Sequence, residues 1–313
     1  MGGLLSELGK KLADRWLSLL VLPGALYLAV ASAAQALGHA HPFDLSRLSS
    51  QITASANAPA ARAAGGQVVL LLAVLAASAA VGLAAQALGS IAERVYLAAD
   101  WHTWPSPIRN TINSRVSGRQ RSWDAAARIW HRQREEAART LAIGGRRSDH
   151  TQRQAAHRAM TQIATERPTR PTWSGDRIHA AAVRLERDHQ LDLATVWPHL
   201  WLILPDSART EITTARQTLT RATTLFAWAL LYLPLTAWWW PAATISVALT
   251  LTGRIRTRTA IDTYALLLEA ATRVHAGDLA RHLGFTLAGP LTPEMGDKLT
   301  RFLAPSPPPP PQS

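Results

Sequence analysis

His275, Asp278 and His282 come nearest, in type and spacing, to a chemical site. At i, i+3 and i+7 they fall on one helical face, as a metal site requires. Arg281 adjoins them and no fourth ligand is evident, so a solvated helix face competes with a metal centre here. His39 and His41 lie two apart in a polar segment, where such a pair could touch one ion or simply face water. His150 and His157 share a face, but Arg147, Arg153 and Arg158 surround them with positive charge that disfavours a cation. Asp188-His189 has no recognisable nucleophile to activate.

The wider inventory narrows the chemistry further. The chain has no cysteine, which excludes disulfides, thiolate catalysis, haem thioether attachment and Cys-based zinc sites. A Walker loop, G-x-G-x-x-G after a strand, H-E-x-x-H and G-x-S-x-G are all missing. No catalytic residue and no cofactor is therefore nominated, and a membrane-embedded enzyme ranks last among the function classes.

The elements that would position any site are set by segregation of apolar and basic residues. Mean hydropathy is −0.00, yet apolar blocks alternate with an Arg-dense block, the pattern of a multi-pass membrane protein. The expected fold is all-α: a polytopic membrane protein with four transmembrane helices in two hairpins and a helical cytoplasmic insert. Leu4, Leu5, Leu8 and Leu12 place an amphipathic surface helix over 1–15. Residues 16–37 form the first span, although Ala31-Ser32-Ala33 resembles a signal-peptide cleavage site. A polar external loop covers 38–67, and 68–89 is the second span, in which Ser78 and Gly82 permit close helix approach.

Residues 90–221 are the one substantial soluble block, with 21 arginines against 13 acidic residues, a net of +8. Its helices are expected over Gly118–Ile143, ending at Gly144-Gly145, and over Ser148–Glu166 with Ser148 as cap. A further amphipathic stripe runs through Ile178, Leu185 and His189. Asp206 is expected to cap a helix that nothing breaks before Pro234. The stretch Ala222–Gly253 has no charged residue; as one helix it would be roughly 48 Å long against a hydrocarbon core of about 30 Å. Pro234 and Pro241 flank Trp238–Trp240, so the reading is 222–237 as a third span, 238–240 as an external turn and 241–253 as a fourth. One crossing would translocate Arg254, Arg256 and Arg258, against the positive-inside pattern at every other flank; a returning hairpin keeps them inside. Cytoplasmic helices follow over 254–304, including one that starts at Thr292-Pro293, and 305–313 is a Pro-rich tail.

Pro171-Thr172-Trp173-Ser174-Gly175-Asp176-Arg177, Leu191-Asp192-Leu193 and Trp197-Pro198-His199-Leu200-Trp201-Leu202 together resemble a pattern in uncharacterised multi-pass membrane proteins of high-GC bacteria. The likeness spans about 165–285. It implies four spans with a cytoplasmic insert and assigns no activity. That pattern often carries Asn at the position of Asp176 and Arg at that of His199.

Trp197, Leu200, Trp201, Leu202 and Ile203, with Pro198 among them, are too apolar for a solvated loop and too short, before Pro205, for a span. They read as an interaction or lipid platform, joined by Arg209, Arg216, Arg221, Arg254, Arg256 and Arg258, with core packing as the alternative. The expected function is a membrane-anchored interaction or structural protein of the bacterial inner membrane, with both termini cytoplasmic. Its expected partners are the bilayer, anionic lipid headgroups, and a protein partner or second copy. The alternative is a homo-oligomeric anion channel of bestrophin-like layout. Nucleic-acid binding is the weaker use of the Arg block, because Trp123 and Trp130 read as helix-face packing and not as stacking platforms.

Overall fold

The structure, a computed structural model, describes residues 21–57, 63–97, 101–143, 150–287 and 289–304. Among these the chain is all-helical, with ten α-helices, two short 3-10 turns and no strand. In order they are α1 (Leu22–Leu37), α2 (Leu45–Ala56), α3 (Ala64–Leu97), α4 (Ser106–Ala142) and α5 (His150–Ile163). There follow α6 (Trp173–His189), α7 (Leu193–Ile203), α8 (Asp206–Tyr232), α9 (Pro241–His282) and α10 (Pro293–Leu303). The surface helix at 1–15, the first residues of the first span, the Gly144-Gly145 stop, the Ser148 cap and the Pro-rich segment 305–313 lie outside the described residues.

The chain divides into two compact units, one of Met1–Glu93 with Thr220–Thr257, the other of Arg94–Leu219 with Arg258–Ser313. The C-terminal helices, expected as a separate segment, thus belong with the Arg-rich insert. Among the described residues one helix, α3, is long and apolar enough to cross a membrane; only 22% of its apolar window is buried, unlike the core helix of a globular protein. The helix α1 is apolar but shorter.

Small residues decide how closely the helices of the first unit approach. Gly24 lies against the backbone carbonyl of Ser78, so closely that a Cβ there would collide with it. Gly89 faces Thr224 and Gly253 faces the side chains of Leu225 and Phe226 more loosely: a Cβ at either would lie 3.3 Å from its nearest neighbour, tight but not a collision. The loop expected over 38–67 contains a helix, α2, because Asp44 Oδ1 accepts from the N–H groups of Ser46 (3.0 Å) and Arg47 (3.1 Å). The charge-free stretch folds as two arms, the end of α8 and the start of α9, joined by a 3-10 turn over Pro234–Ala237. Ser246 Oγ donates to the Ala229 carbonyl at 2.8 Å and so ties arm to arm. Tyr27 Oη donates to the Leu231 carbonyl at 3.1 Å, and its ring packs edge-on to Tyr232. At the tip, Trp239 Nε1 donates to the Pro42 carbonyl at 3.0 Å and Trp240 meets Phe43 edge-on.

The second unit closes around Leu185, Leu191, Val196, Leu200, Ile212, Leu279 and Leu299. Its helices α6 and α9 run side by side in the same direction, since three ion pairs join them at one constant offset of 85 residues. These are Arg177–Asp262 at 2.6 Å, Arg184–Glu269 at 2.5 Å and Asp188–Arg273 at 2.6 Å. Asp206 proves to be the first residue of α8 and pairs with Arg209 at 2.7 Å. Thr292 does cap α10, accepting from the Met295 N–H.

Gly24→Ala is expected to lower the stability of the detergent-solubilised protein by about 1–3 kcal/mol, because a backbone carbonyl cannot swing aside for the new methyl as a side chain could. Gly65→Ala, with open space around it, is the control and should not destabilise; equal thermal unfolding midpoints for the two variants would contradict this packing.

Candidate functional site

The segment Leu191–Trp201 builds one wall of a groove. Asp192 caps α7, its Oδ1 accepting from the Ala194 N–H (3.1 Å) and its Oδ2 from the Thr195 hydroxyl (2.5 Å). Val196 and Leu200 then point into the core, which leaves Trp197, Pro198 and Trp201 on the adjoining face. Leu204, before Pro205, is extended and ends the helix. A groove of about 560 Å³ is lined by Trp197, Pro198 and Trp201 of α7, by Ile212, Thr213, Arg216 and Gln217 of α8, and by Tyr264 of α9. The two indole rings lie 5.8 Å apart at 46°, and the Arg216 guanidinium sits 5.8 Å over the Tyr264 ring.

The proposed platform therefore divides. Trp197, Pro198, Trp201 and Arg216 come together. Arg209 pairs with Asp206, and Arg258 lies 4.7 Å over the Trp173 ring. Arg221, Arg254 and Arg256 are exposed residues of the other unit. Leu202 is 75% exposed, whereas Leu200 is wholly buried. Sequence reasoning missed Tyr264, Ile212 and Gln217. Tyr264 stands in the apolar stripe of its helix, and nothing local distinguishes a groove wall from core.

The segment Pro168–Arg177 proves to be a clamp. Thr172 Oγ1 donates to the Tyr96 carbonyl at 2.6 Å and accepts from the Gly175 N–H at 3.1 Å, which caps α6 and ties it to the end of α3. A side chain at Gly175 would strike the Leu97 carbonyl. From α4, Arg119 donates to the carbonyls of Ile163 (2.8 Å) and Arg170 (3.1 Å), Gln120 to Pro168 (2.9 Å) and Trp123 to Ala164 (2.9 Å). Trp123 is thus occupied in packing, as its sequence position suggested. Buried Asp176 accepts the N–H groups of Thr169 (2.9 Å) and Arg170 (2.8 Å) on Oδ1. Its Oδ2 lies 2.8 Å from Arg119 Nη2 as an ion pair whose angles are not those of a hydrogen bond. Burial pushes the Asp176 carboxyl up in spite of these partners, and burial lowers the Arg119 guanidinium. The charge is costly here, and its bonds hold the loop Thr169–Arg170 against α6.

The histidine sites look different again. His275 Nδ1 lies 3.1 Å from Asp278 Oδ2, while Arg281 takes Asp278 Oδ1 at 3.1 Å. His282 Nδ1 lies 2.9 Å from the Asp278 backbone carbonyl. The Asp278 carboxylate is thus already shared between a histidine and an arginine. Among the described residues no group of three His, Asp or Glu side chains is arranged to hold a metal ion. His39 and His41 are exposed, and the side chain of His150 lies outside the described residues. Asp188 pairs with Arg273 at 2.6 Å, and Arg273 Nη1 lies 3.2 Å from His189 Nε2.

No protein-family model matches the chain, and no curated protein or solved structure does.

Two predictions follow from these charges. Asp176→Ala, which strands two backbone N–H groups and a buried guanidinium, should cost about 2–3 kcal/mol in denaturant unfolding. Asp176→Asn keeps the Oδ1 acceptor for both N–H groups but still removes the charge partner of Arg119, so it should cost less than the alanine change, about 1–2 kcal/mol; equal losses would refute the clamp. Along α9, burial opposes ionisation of Glu269, but Arg184 and Arg273 prevail and hold its carboxyl low; Arg273 likewise holds Asp188 low. A depressed carboxylate contributes stability that is complete above its ordinary range of about pH 4 and is lost as pH falls through its folded value. The unfolding temperature should therefore fall more steeply in acid for the parent protein than for Arg273→Gln, and parallel curves would contradict the ladder. Asp176 acts in the opposite sense, since a raised carboxyl favours the folded state on protonation, and is common to both proteins.

Proposed function

We propose that the chain is a multi-pass protein of a bacterial cytoplasmic membrane, anchored by two helical hairpins and presenting its Arg-rich helical unit as an interaction module on the cytoplasmic side. The observation that carries this reading is the Trp239–Pro42 hydrogen bond. It holds the tip of the charge-free hairpin beside the segment that follows α1, which is where a returning hairpin brings it. The charge-free arms, Ala222–Tyr232 and Pro241–Gly253, are about 16 and 20 Å long, short of a core of about 30 Å. Exposed Arg221 and Arg254 at their bases can snorkel to meet the headgroups, as long basic side chains do. The groove of Trp197, Trp201 and Tyr264 is the module's docking surface, since paired aromatic anchors beside an arginine are what partner interfaces concentrate.

Because the chain has no cysteine, single cysteines report topology without background. Ser49→Cys should react with a membrane-impermeant maleimide on intact cells. Gln133→Cys should react only after lysis. Labelling of both positions from outside would sink the proposed orientation.

A further inference from the structure

From α6 to α10 every arginine of the second unit meets a carboxylate or lies over an aromatic ring. The hairpin of α4 and α5 departs from that pattern. It carries ten arginines against three acidic residues, a net of +7, and α5 has no acidic residue at all. Two of the three carboxylates are already engaged, Asp124 by Arg167 from beyond the hairpin and Glu135 by Arg139 at 3.7 Å.

On α4, Arg121, Arg128, Arg132 and Arg139 follow one another at steps of seven, four and seven residues. At 3.6 residues per turn they fall within about 40° of one another, in a stripe about 27 Å long. All four are exposed. Arg121 and Arg132 reach carbonyls of their own helix, those of Ser117 at 3.4 Å and Arg128 at 3.3 Å. Among the described residues, Arg121, Arg128 and Arg132 have no carboxylate within ion-pairing distance.

A row of unneutralised guanidinium groups fits a ligand with closely spaced negative charge, and the rest of the face narrows the class. It holds Asn110, Ser114, Ser117, Ala125 and Glu135, and no large apolar residue. A helix that lies on a bilayer buries an apolar face in the headgroup boundary. The buried residues of α4, Val116, Ala127 and Ala137, are instead on the other side. A single nucleic-acid strand needs aromatic platforms. Trp123 and Trp130 are engaged away from the stripe: Trp123 Nε1 donates to the Ala164 carbonyl, and the Trp130 ring lies 5.6 Å from that of His157. A duplex needs neither feature. Each strand presents a phosphate about every 3.4 Å of axis, which guanidinium forks and small hydroxyl or amide donors can meet. Duplex RNA is gripped across successive grooves through its 2′-hydroxyls, which one straight stripe does not span, so DNA is the better fit.

We propose that the Arg121–Arg128–Arg132–Arg139 face of α4 binds the phosphate backbone of double-stranded DNA without regard to base sequence. This surface is separate from the groove of Trp197 and Trp201, and binding to it does not depend on which side of a membrane the unit faces.

The test uses the full chain in nanodiscs of neutral lipid with two fluorescent DNA duplexes of unrelated sequence, read by anisotropy. Four neutralised phosphates predict equal affinity for the two duplexes, falling about a hundredfold between about 50 and 200 mM salt. Arg121→Gln, Arg128→Gln and Arg132→Gln together leave one contact, so the fall should shrink to about fourfold and binding at the lower salt should weaken at least tenfold. The thermal unfolding midpoint of this variant should match the parent's, since all three side chains are exposed. Arg281→Gln removes an arginine that is paired and should leave binding unchanged. Absence of duplex binding at the lower salt overturns the proposal, as does binding that the triple change leaves intact. Tighter binding to a single strand or an RNA duplex of equal length overturns the assignment to DNA duplex. Binding to anionic phosphatidylglycerol vesicles that the triple change abolishes, with no duplex binding, assigns the stripe to the membrane and overturns the proposal too.

Discussion

Thirty-two residues without a charge, Ala222–Gly253, have to satisfy their own backbone wherever water is excluded. The chain does this with helix on both arms and a single 3-10 turn between the prolines. Side chains add bonds to main-chain carbonyls: Ser246 to Ala229, Trp239 to Pro42, and Tyr27 of α1 to Leu231. On the proposed membrane reading packing then depends on glycine, because helices that can gain little by burying apolar surface in lipid must gain contact by approaching closely. Gly24, Gly89 and Gly253 supply that approach. On the proposed reading the same constraint explains where arginine begins and stops, since Arg221 and Arg254 bracket the stretch.

The second unit answers a different problem. Its net positive charge has to be packed without being buried alone, and three parallel ion pairs between α6 and α9 do much of this. Buried Asp176 shows the cost of going further: two backbone donors and Arg119 hold it, yet burial still pushes its carboxyl up. The segment around it secures the end of α3, α4 and α6 to one another. The aromatic face of α7 is turned away from the core because Val196 and Leu200 point into it, and on the proposed reading it is the surface that recognises a partner.

Much of the helical layout was legible because it rests on local chemistry. The Thr292 cap, the unbroken run into Tyr232 and the bend at Pro234 follow from residues within a turn of one another. The N-terminal third of α4 was not, since Ser106–Ser117 is polar on most sides and its apolar residues, Ile112 and Val116, make sense only once they meet Trp101 and Trp104. Asp44, which starts α2, sat in a segment too polar to look helical. Half of the groove was legible from the Trp-Pro-x-x-Trp segment, while Tyr264, 67 residues beyond Trp197, became part of it only through tertiary folding. At the histidine face 275–282 the structure adds what spacing cannot carry: Arg281 takes one oxygen of the Asp278 carboxylate.

The central claim is that Ala222–Gly253 returns to the side from which it came. A reporter fused after Ser313, one that is active only in the cytoplasm, tests it most directly in intact cells. The account predicts full reporter activity and protection of the fusion from external protease. An inactive reporter that external protease removes would mean a single crossing and would contradict the account.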